Sequence, residues 1–175
     1  IVLSRLMGLG DLRKQGSGNI GATNVLRTGN KTAAALTLIL DGGKGTAAVL
    51  LARAISGEDA TQLAGLAALI GHCFPIFLKF KGGKGMATFI GVMLVANWPA
   101  GLLCCLTWLA VAALFRFSSL ASLTAALAGP GYAYWLGNWQ IMELAAFMTV
   151  LVFLRHHQNI RRLVTGAEPK IGAKK

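Results

Sequence analysis

The sequence predicts an all-α protein, a polytopic bundle of helices embedded in a membrane. Hydrophobic residues make up 55% of the 175-residue chain and charged residues only 13%, about half the charged share of a soluble domain. The mean hydropathy is +0.61. Apolar stretches recur along the chain, and most charged residues lie in the short segments between them. We therefore expect a single membrane-embedded domain over residues 1–175, with several transmembrane helices.

Six apolar stretches are candidate helices, and about 20 residues are needed to cross a bilayer. In order, they are Thr32 to Ile55, Gln62 to Leu78, Met86 to Asn97, Trp98 to Phe115, Leu120 to Leu136 and Ile141 to Leu154. The third stretch is short, so it is predicted to be either a half-span or a packed interior helix. Residues 1–9 are apolar but too short to cross, and are interpreted as the last turns of a further span. We therefore expect about seven transmembrane helices in the intact protein, with the first one truncated here.

Loop charge predicts the orientation of these helices. Basic loops within residues 10–31 and 79–84 and at Arg116 alternate with loops that are acidic or uncharged. The tail that begins at Arg155 is strongly basic and falls on the same side as the basic loops. The positive-inside rule therefore puts the basic loops in the cytoplasm. Three tryptophans that would mark the opposite interface are Trp98, Trp135 and Trp139.

The charge balance limits the classes of partner. The formal net charge is +11, from 17 Lys and Arg against 6 acidic residues. Because these cations lie in short loops and not on one continuous basic face, they favour anionic headgroups or anionic substrates over nucleic acid. Cys73, Cys104 and Cys105 lie in apolar runs without metal-ligand spacing, so we expect neither a metal site nor a disulfide.

Three glycine-rich basic segments carry the main functional signal. They are residues 16–24 (GSGNIGATN), 41–45 (DGGKG) and 81–85 (KGGKG). Glycines leave backbone N–H groups accessible, and such groups together with cationic side chains hold phosphate. Neither lysine-containing segment has the Gly-x4-Gly-Lys-Ser/Thr pattern of a nucleotide-binding loop, so ATP hydrolysis is not expected. The segments therefore predict a phosphate site at a bilayer surface, which indicates lipid chemistry.

Asp41 and Lys44 lie inside an apolar stretch, where an isolated charge is costly and survives by pairing or by serving a site. Their i, i+3 spacing puts them on one helix face. They are interpreted either as a structural ion pair or as residues that order the phosphate segments. His72 is interpreted as a packed or interfacial histidine.

A second polar group follows the last apolar stretch. If that helix continues past Arg155, then His156, Asn159 and Arg162 share one face. They would bring a titratable group, an amide and a fixed cation together at the membrane surface. A basic cluster beside the membrane, without a catalytic role, is the alternative.

Taken in order, these residues resemble the bacterial acyl-phosphate-dependent glycerol-3-phosphate acyltransferases, the PlsY family. The resemblance is carried by Ser17-Gly18-Asn19-Ile20-Gly21-Ala22-Thr23-Asn24 with Arg27, Asp41-x-x-Lys44-Gly45, Gly71-His72, Phe80-Lys81-Gly82-Gly83-Lys84-Gly85, and Arg155-His156 with Asn159-Ile160 and Arg162. It implies a multi-pass enzyme of the bacterial cytoplasmic (inner) membrane with a cytoplasmic active site. The implied reaction transfers a fatty acyl group from acyl phosphate to the 1-hydroxyl of sn-glycerol 3-phosphate. Its products are lysophosphatidic acid and phosphate, in phospholipid synthesis.

The resemblance also implies roles for individual residues. Those expected to be catalytic are Ser17, Arg27, Lys84, His156 and Asn159. Those expected to bind substrate are Gly18, Asn19, Thr23, Asn24, Asp41, Lys44, Gly45, Gly82, Gly83, Gly85, Ser119 and Arg162. No metal or cofactor is expected, because an acyl phosphate is already activated. The expected partners are acyl phosphate, glycerol 3-phosphate and membrane lipid, with the peripheral enzyme that makes acyl phosphate as a further candidate.

The sequence leaves two questions open. None of the three histidines begins a His-x4-Asp dyad of the kind that other glycerolipid acyltransferases carry. The hydroxyl proton must therefore go to His156 or to a phosphate oxygen of a bound substrate. The alternative function is a small transporter of a phosphorylated metabolite, for which we would expect an internal repeat that the chain lacks. A non-catalytic membrane scaffold is a third possibility.

Overall fold

The computed structural model describes residues 2–172, and it confirms the all-α membrane bundle. Its helices are α1 (Val2–Leu6), α2 (Ala22–Leu26), α3 (Lys31–Ser56), α4 (Glu58–Cys73), α5 (Met86–Ala96), α6 (Trp98–Phe115), α7 (Ser118–Trp135), α8 (Trp139–Arg155) and α9 (His157–Val164). Short 3₁₀ turns occur at Leu12–Lys14 and Ile76–Leu78. Helices α3, α5 and α7 begin at one end of the bundle, whereas α4, α6 and α8 begin at the other. Three described segments are long and apolar enough to cross a membrane: Lys31–Ser56, Glu58–Leu78 and Trp98–Phe115.

Helix α5 has features of both alternatives predicted for the third stretch, because it is short and is packed in the interior of the bundle. Its 11 residues extend for roughly 16 Å, about half of a 30 Å hydrocarbon core. Phe89, Val92 and Met93 are fully buried, and α5 contacts α3, α4, α6, α7 and α8. The glycine-rich segment that precedes α5 is thereby held against the centre of the bundle.

Three helix starts are fixed by asparagine side chains. The Oδ1 atoms of Asn30, Asn97 and Asn138 accept the backbone N–H three residues further on, at 2.9, 3.1 and 3.1 Å. This contact satisfies one of the N–H groups that the first turn of a helix leaves without a partner. Local sequence therefore sets where α3, α6 and α8 begin.

The predicted boundaries of one stretch were wrong. The stretch predicted as Gln62 to Leu78 forms a helix that begins at Glu58 and ends at Cys73, because Pro75 disfavours a helical conformation in the residue before it. The last helix does not continue past Arg155. Its backbone breaks at His156, and α9 starts as a separate helix. The condition under which His156, Asn159 and Arg162 would share one face of a continuous helix is therefore not met.

Small residues and hydroxyl groups join the helices in the interior. Thr46 donates to the carbonyl of Gly91 at 3.0 Å, and Thr88 donates to the carbonyl of Asp41 at 2.8 Å. Helices α3 and α5 approach so closely that a Cβ on Gly91 would overlap the carbonyl of Gly42. Such contacts are typical of helix packing in membranes, where backbones can approach closely only at small residues.

Candidate active site

A cavity of about 700 Å³ opens at the end of the bundle where α3, α5 and α7 begin. Its polar end is lined by Ser17 and Arg27 from the first glycine-rich segment and α2, Asp41 from α3, and Lys84 from the third segment. His156, from the junction of α8 and α9, completes this end. The fold thus brings residues that are far apart in sequence to one site.

The apolar end of the cavity runs between α3, α5 and α6. Leu38, Ile39, Leu94 and Leu109 line it. Leu38, Ile39 and Leu109 are 55%, 65% and 58% exposed on the outer surface of the bundle. The cavity therefore opens sideways, toward the hydrocarbon that surrounds a membrane protein, as well as at its polar end.

Asn24 builds the turn that presents the first segment. It is only 2% exposed, and its Oδ1 accepts the backbone N–H of Ser17 at 2.9 Å and the Ser17 hydroxyl at 3.3 Å. Its Nδ2 donates to three backbone carbonyls between residues 12 and 19, at 2.7 to 3.0 Å. Gly16 and Gly18 provide the left-handed conformations, with φ of +55° and +71°. Asn24 therefore shapes the segment without lining the cavity.

The Lys84 segment is fixed from both sides. The N–H groups of Gly82 and Gly83 donate to the carbonyls of Cys73 and His72 at 3.1 and 3.2 Å. The guanidinium of Arg155 donates to the carbonyls of Gly82 and Gly83 at 3.0 and 3.1 Å. A Cβ on either glycine would overlap His72. Only glycine fits here, and the segment is held rigidly under Lys84.

Asp41 and Lys44 form an ion pair that also supports this segment. Lys44 Nζ lies 2.7 Å from Asp41 Oδ1 and donates to His72 Nδ1. The His72 ring in turn packs against the Gly83 backbone. The two interpretations of the pair are thus compatible: it is structural, and through His72 it contacts the segment that carries Lys84.

Glu168 is a central residue of the site that sequence reasoning missed. Its carboxylate accepts hydrogen bonds from Ser119 Oγ at 2.6 Å, Asn159 Nδ2 at 2.6 Å and Arg162 Nε at 2.7 Å. Burial opposes its ionisation, but the three donors together hold the pKa of Glu168 below its usual range. One feature of the sequence could have pointed to this residue: Glu168 is the lone acidic residue within the basic segment 155–175.

His156 is buried, with 3% exposure. Its Nδ1 lies 2.8 Å from the carbonyl of Val152, so Nδ1 carries the hydrogen and Nε2 keeps a lone pair. Burial is the main cause that lowers the pKa of His156 to about 4. The imidazole is therefore neutral at physiological pH.

Asn159 lines the cavity and has a buried acceptor without a partner among the described residues. It is 3% exposed, and its Nδ2 is committed to Glu168. Its Oδ1 is buried without a hydrogen-bond partner among residues 2–172. A buried acceptor without a hydrogen-bond partner lowers the stability of a protein by about 1–3 kcal/mol. A hydroxyl donor of a bound substrate would remove this cost.

The polar end carries excess positive charge. Arg27, Lys31 and Lys84 line it, whereas the two acids in its lining, Asp41 and Glu168, form ion pairs with Lys44 and Arg162. Burial lowers the pKa of Lys84 to about 8, so Lys84 is still mostly protonated at neutral pH. The arrangement suits multiply charged anions such as phosphate monoesters.

The predicted site residues fall into two groups. Those that line the cavity are Ser17, Asn19, Thr23, Arg27, Asp41, Lys84, Gly85, Ser119, His156 and Asn159. Those outside its lining are Gly18, Asn24, Lys44, Gly45, Gly82, Gly83 and Arg162. Gly45 faces α5, where a Cβ would come within 3.0 Å of Thr88 and Val92. The second group supports the first through the contacts described above or through helix packing.

Comparison with known proteins gives concordant matches. The profile of a family described as Glycerol-3-phosphate acyltransferase matches residues 1–166. A glycerol-3-phosphate acyltransferase from Cereibacter sphaeroides is 58% identical over 174 residues, which cover 99% of this chain and 83% of the relative. One from Jannaschia sp. is 61% identical over 172 residues, which cover 98% of this chain and 85% of the relative.

Two solved structures are similar to this chain over nearly its whole length. One is a crystal structure of PlsY, described as an integral membrane glycerol 3-phosphate acyltransferase, in its glycerol 3-phosphate form. The alignment with this structure has a TM-score of 0.92 and a sequence identity of 38%, and it covers 98% of this chain and 86% of that chain. The other is the lysophosphatidic acid form of PlsY, with a TM-score of 0.90 at 37% identity and the same coverage.

Proposed function

Because the chain belongs to the glycerol-3-phosphate acyltransferase family, we propose that it transfers a fatty acyl group from acyl phosphate to the 1-hydroxyl of sn-glycerol 3-phosphate. The products would be lysophosphatidic acid and inorganic phosphate. Membership makes the protein an integral membrane acyltransferase that acts on glycerol 3-phosphate. The donor, the hydroxyl that is attacked and the products are the proposed part.

The observation that carries the proposal is one cavity with a cationic end and an apolar end. Arg27, Lys31 and Lys84 supply the positive charge, and two separate glycine-rich segments, residues 16–24 and 81–85, meet there. A donor and an acceptor that each bear a phosphate would account for the several cations at this end. The lateral apolar opening between α3 and α6 suits an acyl chain that arrives from the bilayer.

The reaction needs positioning and charge stabilisation, without further activation of the donor. The acceptor hydroxyl oxygen bonds to the acyl carbonyl carbon, and the bond from that carbon to the bridging phosphate oxygen breaks. The phosphate leaves with the bonding electron pair. Arg27 and Lys84 stabilise the negative charge that develops on the reacting groups, and Asn159 Oδ1 accepts the hydroxyl hydrogen bond that orients the acceptor. The proton passes either to His156 Nε2 or to a phosphate oxygen.

The donor can be tested with the purified protein in detergent micelles. Radiolabelled glycerol 3-phosphate is incubated with palmitoyl phosphate or with palmitoyl-CoA, and labelled lysophosphatidic acid is measured. We expect turnover with palmitoyl phosphate and none with palmitoyl-CoA. Turnover with palmitoyl-CoA and none with palmitoyl phosphate would contradict the proposed donor, while leaving the family's acyl transfer to glycerol 3-phosphate intact.

Matched variants connect the activity to the cavity. Lys84→Ala removes a half-buried cation, and Asn159→Ala removes the acceptor oxygen, so both should lower kcat/KM by roughly a hundredfold. His157→Ala is the control, because His157 is exposed and absent from the cavity lining. Equal activity in all three variants would mean that the reaction takes place elsewhere on the protein.

We also propose that the membrane is the bacterial cytoplasmic membrane and that the cavity faces the cytoplasm. The basic loops beside the cavity support this orientation through the positive-inside rule. A peripheral enzyme that makes acyl phosphate is the proposed source of the donor, since acyl phosphates are reactive and would benefit from a short path to the cavity.

A further inference from the structure

A second cavity lies at the end of the bundle opposite the candidate active site. Its volume is about 570 Å³, within the range of roughly 300–1,000 Å³ that is usual for ligand sites. It is formed where α3, α5 and α7 end and where α4, α6 and α8 begin. None of the residues that line it also lines the first cavity.

This second cavity contains hydrogen-bond donors that are poorly used. Both Nη atoms of Arg53 lie 3.3 Å from one acceptor, the carbonyl of Val95. Arg53 Nε is 2.6 Å from Glu58 Oε1, yet its N–H is not directed at a carboxylate oxygen, so it makes no hydrogen bond. The Thr61 hydroxyl is also buried without a partner among the described residues, and Thr61 is only 1% exposed.

Two asparagines add further donors to the lining. The Oδ1 atoms of Asn97 and Asn138 are occupied by the helix starts that they cap. Each residue also has an NH₂ group that can donate to a ligand. A ligand rich in acceptor oxygens would satisfy the guanidinium, the hydroxyl and these amides together.

The charges of the lining narrow the ligand class. Among the described residues that line this cavity, Arg53 and Glu58 are the charged ones, so the site is neutral overall but offers one charge of each sign. Glu58 is largely exposed, with 67% of its side chain accessible, and can accept from a ligand cation. Because Arg53 and Glu58 lie 2.6 Å apart, a singly charged anion bound at Arg53 would also be repelled by Glu58, whereas the ammonium of a zwitterion offsets that repulsion.

We propose that this cavity binds the headgroup of a zwitterionic phospholipid of the phosphoethanolamine type. The lipid comes from the leaflet opposite the one that meets the acyltransfer cavity. Its phosphodiester accepts from Arg53 and Thr61, and its ammonium donates to Glu58. The glycerol and acyl chains leave past Trp98 and Leu136, which are 68% and 39% exposed at the rim.

The test is native mass spectrometry of the full chain released from detergent, after equilibration with equimolar dioleoyl phosphatidylethanolamine and dioleoyl phosphatidylglycerol. We expect the phosphatidylethanolamine adduct to predominate. Glu58→Gln should lower its affinity by roughly tenfold, the loss expected for one hydrogen bond to a charged group. Asp59→Asn is the matched control, because this neighbouring acid is not in the lining, and it should bind as the wild type does.

The Thr61→Val variant distinguishes a loss of lipid binding from a loss of folding. The change keeps the shape and removes an unpartnered buried hydroxyl, so the lipid-free variant should unfold at the same temperature as the wild type or higher. Its phosphatidylethanolamine affinity should still fall at least threefold. Equal binding of the two lipids by the wild type would overturn the inference, as would unchanged affinity in both Glu58→Gln and Thr61→Val. Because the lipid readout does not depend on turnover, it is separate from the test of the donor.

Discussion

His156 and a phosphate of a bound substrate are the two candidates to accept the hydroxyl proton. They differ in pKa. Burial lowers the pKa of His156 to about 4, whereas the second pKa of a phosphate monoester is about 6. A general base works best when its pKa is near the operating pH. We therefore expect the phosphate oxygen to act as the base and His156 to orient groups through Nε2.

We expect His156→Gln to lower kcat by roughly tenfold to a hundredfold while the acid limb of kcat/KM stays near pH 6. Below that pH the substrate phosphate gains a proton and can no longer accept one, so the rate falls as the pH falls. The measurement is the pH–rate profile of both proteins between pH 4 and 8. An acid limb near pH 4 in the wild type that is missing in the variant would assign the proton to His156.

Arg155 contacts the segment that carries Lys84 and does not line the cavity. Its guanidinium holds the carbonyls of Gly82 and Gly83 together and lies 5.1 Å from the centre of the Phe74 ring. A planar fork can hold two carbonyls at once, which a single ammonium cannot do with the same geometry. Arg155 is therefore a positioning residue for the third glycine-rich segment.

We expect Arg155→Lys to raise the KM for glycerol 3-phosphate and to lower kcat/KM by roughly tenfold, because the lysine keeps the charge but loses the two-carbonyl contact. Arg161→Lys, on the exposed face of α9, should behave as the wild type does. In a Lys84→Ala background the effect of Arg155→Lys should largely vanish. Additive losses in the double variant would show that Arg155 acts independently of Lys84.

Helices α3 and α5 can approach each other closely because glycines, Gly42 and Gly91, lie where they meet. A Cβ on Gly91 would overlap the carbonyl of Gly42, so Gly91→Ala should push the two helices apart and lower the free energy of unfolding by about 1–3 kcal/mol. Gly71 in α4 has no atom within 4 Å of an added Cβ, and Gly71→Ala should stabilise the protein by about 0.5–1 kcal/mol. Thermal unfolding in detergent measures both changes. Equal shifts of the unfolding temperature in Gly91→Ala and Gly71→Ala would mean that the close approach of α3 and α5 does not stabilise the protein.

The whole molecule has two chemically different ends. The active-site end carries basic loops such as residues 79–84, whereas the opposite end exposes Glu58 and Asp59 beside the second cavity. The lateral opening of the first cavity lets an apolar donor and a polar acceptor approach the same point from different phases. This polarity makes the direction of insertion functionally important, because glycerol 3-phosphate must be supplied on the active-site side.

We expect Lys79→Cys to be protected from a membrane-impermeant maleimide in intact spheroplasts and labelled after lysis, because the positive-inside rule puts its loop in the cytoplasm. Asp59→Cys should be labelled in intact spheroplasts. Both positions are exposed, and the chain without either change gives the background from its native cysteines. The reverse pattern would contradict the proposed cytoplasmic active site.

Composition and local sequence are enough to predict the membrane bundle, five helix-forming stretches to within a few residues, and the residues that identify the family. These properties are local: hydropathy depends on composition along a helix, an asparagine cap acts three residues away, and the glycine-rich segments are contiguous in sequence. The family resemblance drew on the order of such segments, and the family comparison confirmed it.

Which of those residues line the cavity depends on contacts between distant segments. Ser119 and Glu168 are hydrogen-bonded across 49 positions, and Asn24 turned out to hold its own segment together rather than line the cavity. The position of α5 in the interior and the break at His156 likewise depend on what packs beside them. A sequence pattern can place a residue on a helix or a loop, but the partner of a buried polar group is set by contacts between distant segments, which exist only once the helices have packed.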